Sequence, residues 1–138
     1  MNAYTDGSCL KNPGEGGWAT IILNNNEVEY LVYGGEDFTS NNRMELKAVI
    51  ETLKLHNTTD LITIYTDSMY VIKCANGEFK RKKNIDLWEE YDKVSYNKNI
   101  KYVWVKGHNG NKFNEIVDDL ARSKAMIIKN KKILRTNK

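Results

Sequence analysis

No stretch of the 138 residues is apolar for long enough to span a bilayer, and a signal peptide is excluded because Asp6 and Lys11 fall where its apolar core would lie. The chain is therefore expected in the cytoplasm, without a membrane partner. Cysteine is scarce. Cys9 and Cys74 are the only two, and without a secretory signal they read as free thiols and not as a disulfide framework. There is no low-complexity linker, which leaves a single domain over 1–128 and a basic tail over 129–138 as the expected organisation. Neither sign of charge dominates either. The formal net charge of +3 permits a polyanionic partner without demanding one, so the placement of the cations matters more than their sum. They gather at Lys80 to Lys83 and from Lys129 to Lys138.

Internal repeats are absent apart from one echoed phrase, Tyr4-Thr5-Asp6-Gly7-Ser8 and Tyr65-Thr66-Asp67-Ser68. Each copy ends a short apolar or β-branched run and is closed by Gly or Ser, so each aspartate is expected at the carboxyl end of a strand. That is where α/β sheets place their chemistry. On neighbouring parallel strands, roughly 4.8 Å apart, two ionised carboxylates repel unless one is protonated or a cation lies between them. A single Asp in such a place is often only a turn or cap residue; the repetition points instead to a metal.

The rest of the chain supplies an α/β frame. Asn2 to Asp6, Trp18 to Leu23 and Val28 to Tyr33 read as three antiparallel strands, the last two joined as a hairpin through Asn24 to Asn26. A helix beginning near Thr39 to Asn42 carries Leu46, Val49, Ile50 and Leu53 at helical spacing to about His56. Leu61 to Asp67 reads as a buried strand, Ser68 to Cys74 as a short helix ended by Gly77, and Leu87, Tyr91 and Val94 mark a further helix to about Tyr96. Ile100 to Val105 is a last strand, and Phe113, Ile116, Val117, Leu120 and Ala121 form the apolar stripe of a final helix. The order is βββαβααβα.

Two further carboxylates flank these stripes. Glu45 precedes Leu46 and lies beside its helix's apolar face. On the last helix Asp118 and Asp119 lie on opposite flanks, and periodicity leaves both open. All-oxygen ligands of this kind suit Mg²⁺ or Mn²⁺ and not zinc.

Nearly the whole chain resembles type 1 ribonuclease H. The resemblance rests on Thr5-Asp6-Gly7-Ser8-Cys9, Asn12-Pro13-Gly14 with Gly16-Gly17, Ser40-Asn41-Asn42-Arg43-Met44-Glu45-Leu46 and Thr66-Asp67-Ser68. It continues in Ile85-Asp86-Leu87-Trp88, Trp104-Val105-Lys106-Gly107-His108, and Asn114-Glu115 with Asp118, Leu120 and Ala121, all in this order. It implies a ribonuclease H-like mixed five-stranded sheet, three antiparallel strands and then parallel ones, flanked by helices. It implies hydrolysis of the RNA strand of an RNA/DNA hybrid with two Mg²⁺ ions, for which Mn²⁺ substitutes, leaving 5′-phosphate and 3′-hydroxyl ends. It selects Asp118 over Asp119, so that Asp6, Glu45, Asp67 and Asp118 are the metal ligands, and it makes His108 the catalytic histidine. Cys9, Asn12, Asn41 and Asn42 are implied to approach the RNA strand. Ser40 is implied to sit in a DNA phosphate pocket, and Met69 stands where the family often has a glutamine.

One departure is plain. Where many members carry a long basic, Trp-rich handle, this chain has only Asn76 to Asn84, with Lys80, Arg81, Lys82 and Lys83 as its remnant and Phe79 as a candidate for packing on DNA sugars. A free-standing monomer is expected. The alternatives are the ribonuclease H domain of a reverse transcriptase, a transposase-like core acting on DNA, and a module that holds hybrids without cutting; the intact four carboxylates speak against the last.

Overall fold

A computed structural model describes residues 1–106 and 111–136 of the chain. The described residues form five strands and four helices, in the order β1 (Asn2–Cys9), β2 (Gly14–Asn24), β3 (Glu27–Thr39), α1 (Asn41–Leu55), β4 (Ile62–Thr66), α2 (Met69–Ala75), α3 (Ile85–Ser95), β5 (Ile100–Trp104) and α4 (Lys112–Thr136). They form one mixed sheet in the order β3-β2-β1-β4-β5. The pairs β1–β2 and β2–β3 are antiparallel, and β1–β4 and β4–β5 are parallel. Among the described residues no helix is long and apolar enough to cross a membrane.

The sheet divides two unequal cores. On one face Ala3, Ile22, Ile62 and Ile64 pack against Leu46, Val49, Ile50 and Leu53 of α1, Val71 of α2, and Leu87, Trp88 and Tyr91 of α3. On the other, Ala19 and Ile21 meet Val117 and Ala121 of α4, with Tyr4, Phe113 and Leu120 packed around them. The small residues there let α4 lie close: a Cβ on Gly17 would run into the backbone of Ala121. A Cβ on Gly7 would likewise strike the backbone of Met44 and Glu45, so β1 and α1 touch main chain to main chain. These two approaches bring the helix that carries Glu45 down onto β1, which carries Asp6, and the helix that carries Asp118 onto β2 beside it.

Four elements run past their expected boundaries, β2 and β3 for steric reasons. Both β2 and β3 run through glycines that read as loop, with Gly17 opposite Gly35 and Trp18 opposite Gly34; a side chain on Gly34 would displace the Trp18 ring. Strand β1 does not end at Asp6 but stays paired with β2 to Cys9 opposite Gly16. Its parallel pairing with β4 does stop earlier, at Tyr4 opposite Tyr65. Finally, α4 continues past residue 128 to Thr136. Most of the segment expected as a basic tail is thus helix, tied down where Lys132 pairs with Glu15 at 3.2 Å and donates to the Asp37 carbonyl.

Candidate active site

The echoed phrase sets the register of the site. Asn2 lies opposite Thr63, Ala3 opposite Ile64 and Tyr4 opposite Tyr65, and continuing two residues brings Asp6 level with Asp67. The tyrosines of the two copies stack, with ring centroids 4.7 Å apart and planes 12° from parallel. The threonines are buried at 1% and 0% exposure. Glu45 then completes a group of three carboxylates, Asp6, Glu45 and Asp67, with ligand oxygens all within 4.8 Å of one another.

Glu45 sits deeper than a stripe-flanking residue need do, at 7% exposure. Ser40 caps α1 by accepting the Arg43 amide at 3.2 Å, which fixes where the helix begins. The Gly7 amide donates to Glu45 Oε1 at 2.7 Å and to Asp6 Oδ1 at 2.9 Å, linking the two acids through one N–H. Thr66 ties the helix to β4: its hydroxyl donates to Glu45 Oε2 at 3.4 Å and accepts the Ser68 amide at 3.1 Å. The Trp104 indole N–H donates to the Asp67 carbonyl at 3.2 Å, holding the turn that presents that aspartate. Thr66 and Trp104 stand in the motifs that carry the resemblance, but the sequence assigns neither of them a part in holding the site. Thr66 reads as one more β-branched strand residue, and Trp104 as the aromatic end of β5.

Burial dominates the electrostatics. It pushes the Asp6 carboxyl up to about 7, against a lowering by its hydrogen bond with Glu45, and repulsion from Asp67 and Asp118 adds to the rise. Glu45 is driven well above the usual range by its own burial, then by Asp6 and Asp67. Crowded carboxylates of this kind keep their charge at neutral pH only if a cation shares the site. Their donor set, oxygen throughout, fits Mg²⁺ or Mn²⁺.

Asp118 lines the same pocket, a cleft of about 360 Å³, although it lies outside the group of three. Its side chain is 26% exposed and pairs with Arg122 at 2.7 Å, whereas that of Asp119 is 75% exposed. Helix α4 therefore turns the Asp118 flank toward the site.

Asn41, Asn42 and Met69 stand at the pocket rim, with Met69 44% exposed. Cys9 and Asn12 stand beside it and brace it. The Cys9 amide donates to Asn41 Oδ1 at 2.8 Å and the Asn41 amide to Asn12 Oδ1 at 3.2 Å, while the Cys9 thiol turns away to the Lys11 carbonyl at 2.8 Å. Burial pushes that thiol up, which keeps it protonated. His108 lies outside the described residues.

The family model described as RNase H matches residues 1–126. The chain is 48% identical over 136 residues to a ribonuclease H of Campylobacter jejuni, covering 93% of this chain and 92% of that protein. It is 45% identical over 133 residues to a ribonuclease HI of Helicobacter pylori, covering 91% and 92%. Among solved structures, the N-terminal RNase H domain of a Mycobacterium tuberculosis protein superposes with a TM-score of 0.83 at 20% identity, over 95% of this chain and 98% of that one. LC11-RNase H1 in complex with an RNA/DNA hybrid gives 0.75 at 19% identity, over 88% and 94%.

Proposed function

The chain belongs to the ribonuclease H family, and from that membership we propose that it is an endoribonuclease cutting the RNA strand of RNA/DNA hybrids with two divalent ions, leaving 5′-phosphate and 3′-hydroxyl ends. Mg²⁺ is the expected metal, with Mn²⁺ as a substitute. The observation that carries the reading is the convergence of Asp6, Glu45 and Asp67 within 4.8 Å, on a pocket that Asp118 also lines. Asp6, Glu45 and Asp67 would hold one ion, and Asp6 with Asp118 the other. Bound divalent ions supply a nucleophile at neutral pH and neutralise charge on the departing 3′ oxygen.

The protein's own part is to hold and to orient. The Gly7 amide and the Thr66 hydroxyl fix Glu45, so that the carboxylates meet the metals without rearranging. Choosing RNA requires contact with 2′-hydroxyls without reading bases. The exposed amides of Asn41 and Asn42 suit that task, with Asn12 and the Cys9 main chain orienting Asn41. The Ser40 oxygen accepts the Arg43 amide, which leaves its O–H free to donate to a DNA phosphate, and Met69 offers an apolar edge at the rim. His108 is assigned the relay of a proton or the release of product.

One chain brings all four carboxylates together, in keeping with a monomer, and the free thiols of Cys9 and Cys74 suit a reducing cytoplasm.

The test sets labelled hybrid, double-stranded RNA and double-stranded DNA against the parent and Asp67→Asn, in Mg²⁺ and in EDTA. Only the parent in Mg²⁺ should cut, and only the RNA of the hybrid, while Asp67→Asn keeps its fold and its hybrid binding. Parental hydrolysis by the Asn variant, or preferred cutting of duplex DNA, would overturn the assignment.

A further inference from the structure

The run Lys80-Arg81-Lys82-Lys83 reads as four equivalent cations, but the structure separates one from the other three. The Arg81 guanidinium is turned inward, 4.4 Å from the centroid of the Trp88 ring and 5.6 Å from that of Tyr91. Its Nη1 donates to both oxygens of Asp92 at 2.7 and 2.9 Å, and its Nε to the Cys74 carbonyl at 3.2 Å. Lys80, Lys82 and Lys83 on either side are exposed, and they form no ion pair among the described residues.

The connector 76–84 is fixed at its ends as well. Just past α2, Gly77 takes a left-handed φ of 80°, and the amides of Glu78 and Phe79 both donate to the Lys73 carbonyl. Before α3, the Asn84 side chain donates to the Tyr70 hydroxyl at 2.9 Å and accepts from Arg43 at 3.3 Å. Between these anchors lies a depression of about 370 Å³ lined by Glu78, Phe79, Lys80 and Lys82, with Phe79 54% exposed. Seven residues of α2 separate it from Asp67. At 1.5 Å per residue that is about 10 Å, or about three nucleotide steps of a duplex strand.

We propose that Arg81 is a positioning residue for this shortened handle: it clamps the connector so that Phe79, Lys80, Lys82 and Lys83 meet the duplex backbone already in place, and it is not itself a phosphate contact. The proposal rests on the hybrid being the substrate. A guanidinium suits the clamp because its planar face lies over an indole while Nη1 reaches the Asp92 carboxylate and Nε the Cys74 carbonyl; a lysine ammonium has neither the flat face nor the two fixed N–H directions. Holding the loop in advance removes part of the ordering cost that lysines on a free loop would incur on binding.

The experiment measures KM, kcat and melting temperature for the parent, Arg81→Lys, Asp92→Asn, the triple Lys80→Ala/Lys82→Ala/Lys83→Ala, and that triple combined with Arg81→Lys. Arg81→Lys keeps the charge and loses the fork; Asp92→Asn opens the clamp from its other side and removes a negative charge. Both should raise KM for hybrid about fivefold, the size of one lost increment of pre-ordering, with kcat unchanged. Adding Arg81→Lys to the triple should raise KM no further. If Asp92→Asn lowers KM and Arg81→Lys behaves as the parent, Arg81 is a direct phosphate contact and the clamp is wrong. If both variants only lower the melting temperature and keep the parental KM, Arg81 is structural and the surface is not pre-ordered by it. A parent that fails to cut hybrid would defeat the functional reading itself, an outcome separate from either of these.

Discussion

Asp6→Asn tests the electrostatic account of the site on the protein alone, with no substrate present. In the folded protein without metal, burial and the neighbouring acids hold the Asp6 carboxyl at about 7, against an ordinary value of 3.8. The folded state thus binds this proton more tightly than the unfolded chain does. Stability from this group is complete below about pH 4 and is lost as the pH rises to about 7. At about 1.4 kcal/mol per pH unit between the two values, the loss by pH 8 comes to about 4 kcal/mol. That is an upper bound, because the exposed side of the pocket screens Asp67 and Asp118. Asn keeps the size of the side chain and cannot ionise. In EDTA, Asp6→Asn should therefore be the more stable protein at pH 8, by up to about 4 kcal/mol, and the difference should shrink to about 1 kcal/mol or less at pH 4.5. For a chain of this length each kcal/mol moves the melting temperature by about 4 °C. Mg²⁺ should reverse the order, since an ion bound only by the folded state stabilises the parent and has lost a ligand in the variant. Thermal unfolding followed by circular dichroism, from pH 4.5 to 8 in EDTA and in Mg²⁺, reads both effects. A stability difference that stays flat with pH in EDTA, or favours the parent at pH 8, would refute the account.

Two further outcomes follow from named contacts. Thr66→Val keeps the β-branched shape but removes the donor to Glu45 and leaves the Ser68 amide without its acceptor; urea unfolding should show a loss of about 1 to 3 kcal/mol, with a higher Mg²⁺ midpoint for cleavage, and Thr66→Ser should restore both. A Val variant with parental stability and Mg²⁺ demand would show that the hydroxyl holds nothing. His108→Ala should lower kcat by a factor of ~10² to 10⁴, the usual scale of general acid–base help, with KM little changed; parental multiple-turnover kinetics would dismiss the histidine from the mechanism.

The sheet was legible where side chains pack and misread where they are missing. The repeated Tyr-Thr-Asp gives the β1–β4 register because identical residues meet across it, stacked at Tyr4 and Tyr65. The glycines of β2 and β3 instead read as loop, since glycine weakens a strand and marks turns. Here their value is steric. Gly34 makes room for the Trp18 ring, and Gly17 for the backbone of α4, contacts that no local pattern announces. The same contact decides between the two aspartates of α4. At 100° per residue Asp118 and Asp119 fall on opposite flanks of the stripe, and only the way α4 lies against Gly17 determines which flank faces Asp6. Glu45 follows the same logic, because its burial depends on how closely α1 approaches Gly7.

The basic connector shows how a charge run can be read more finely. Charge alone makes Lys80, Arg81, Lys82 and Lys83 interchangeable, yet three chemical facts set Arg81 apart. It is the only residue of the four with a flat cation that can stack on a ring face while its N–H groups reach a carboxylate and a carbonyl in its plane. The helix that follows offers both partners, because Trp88, Tyr91 and Asp92 stand three and four positions apart and share one face. The intervening chain is also short enough for the guanidinium to reach back, as its contacts with Trp88 and Asp92 record. An arginine inside a lysine run, followed within a few residues by an aromatic and an acid at helical spacing, is thus a signal for an anchor, and the lysines it leaves exposed are the residues available to a polyanion.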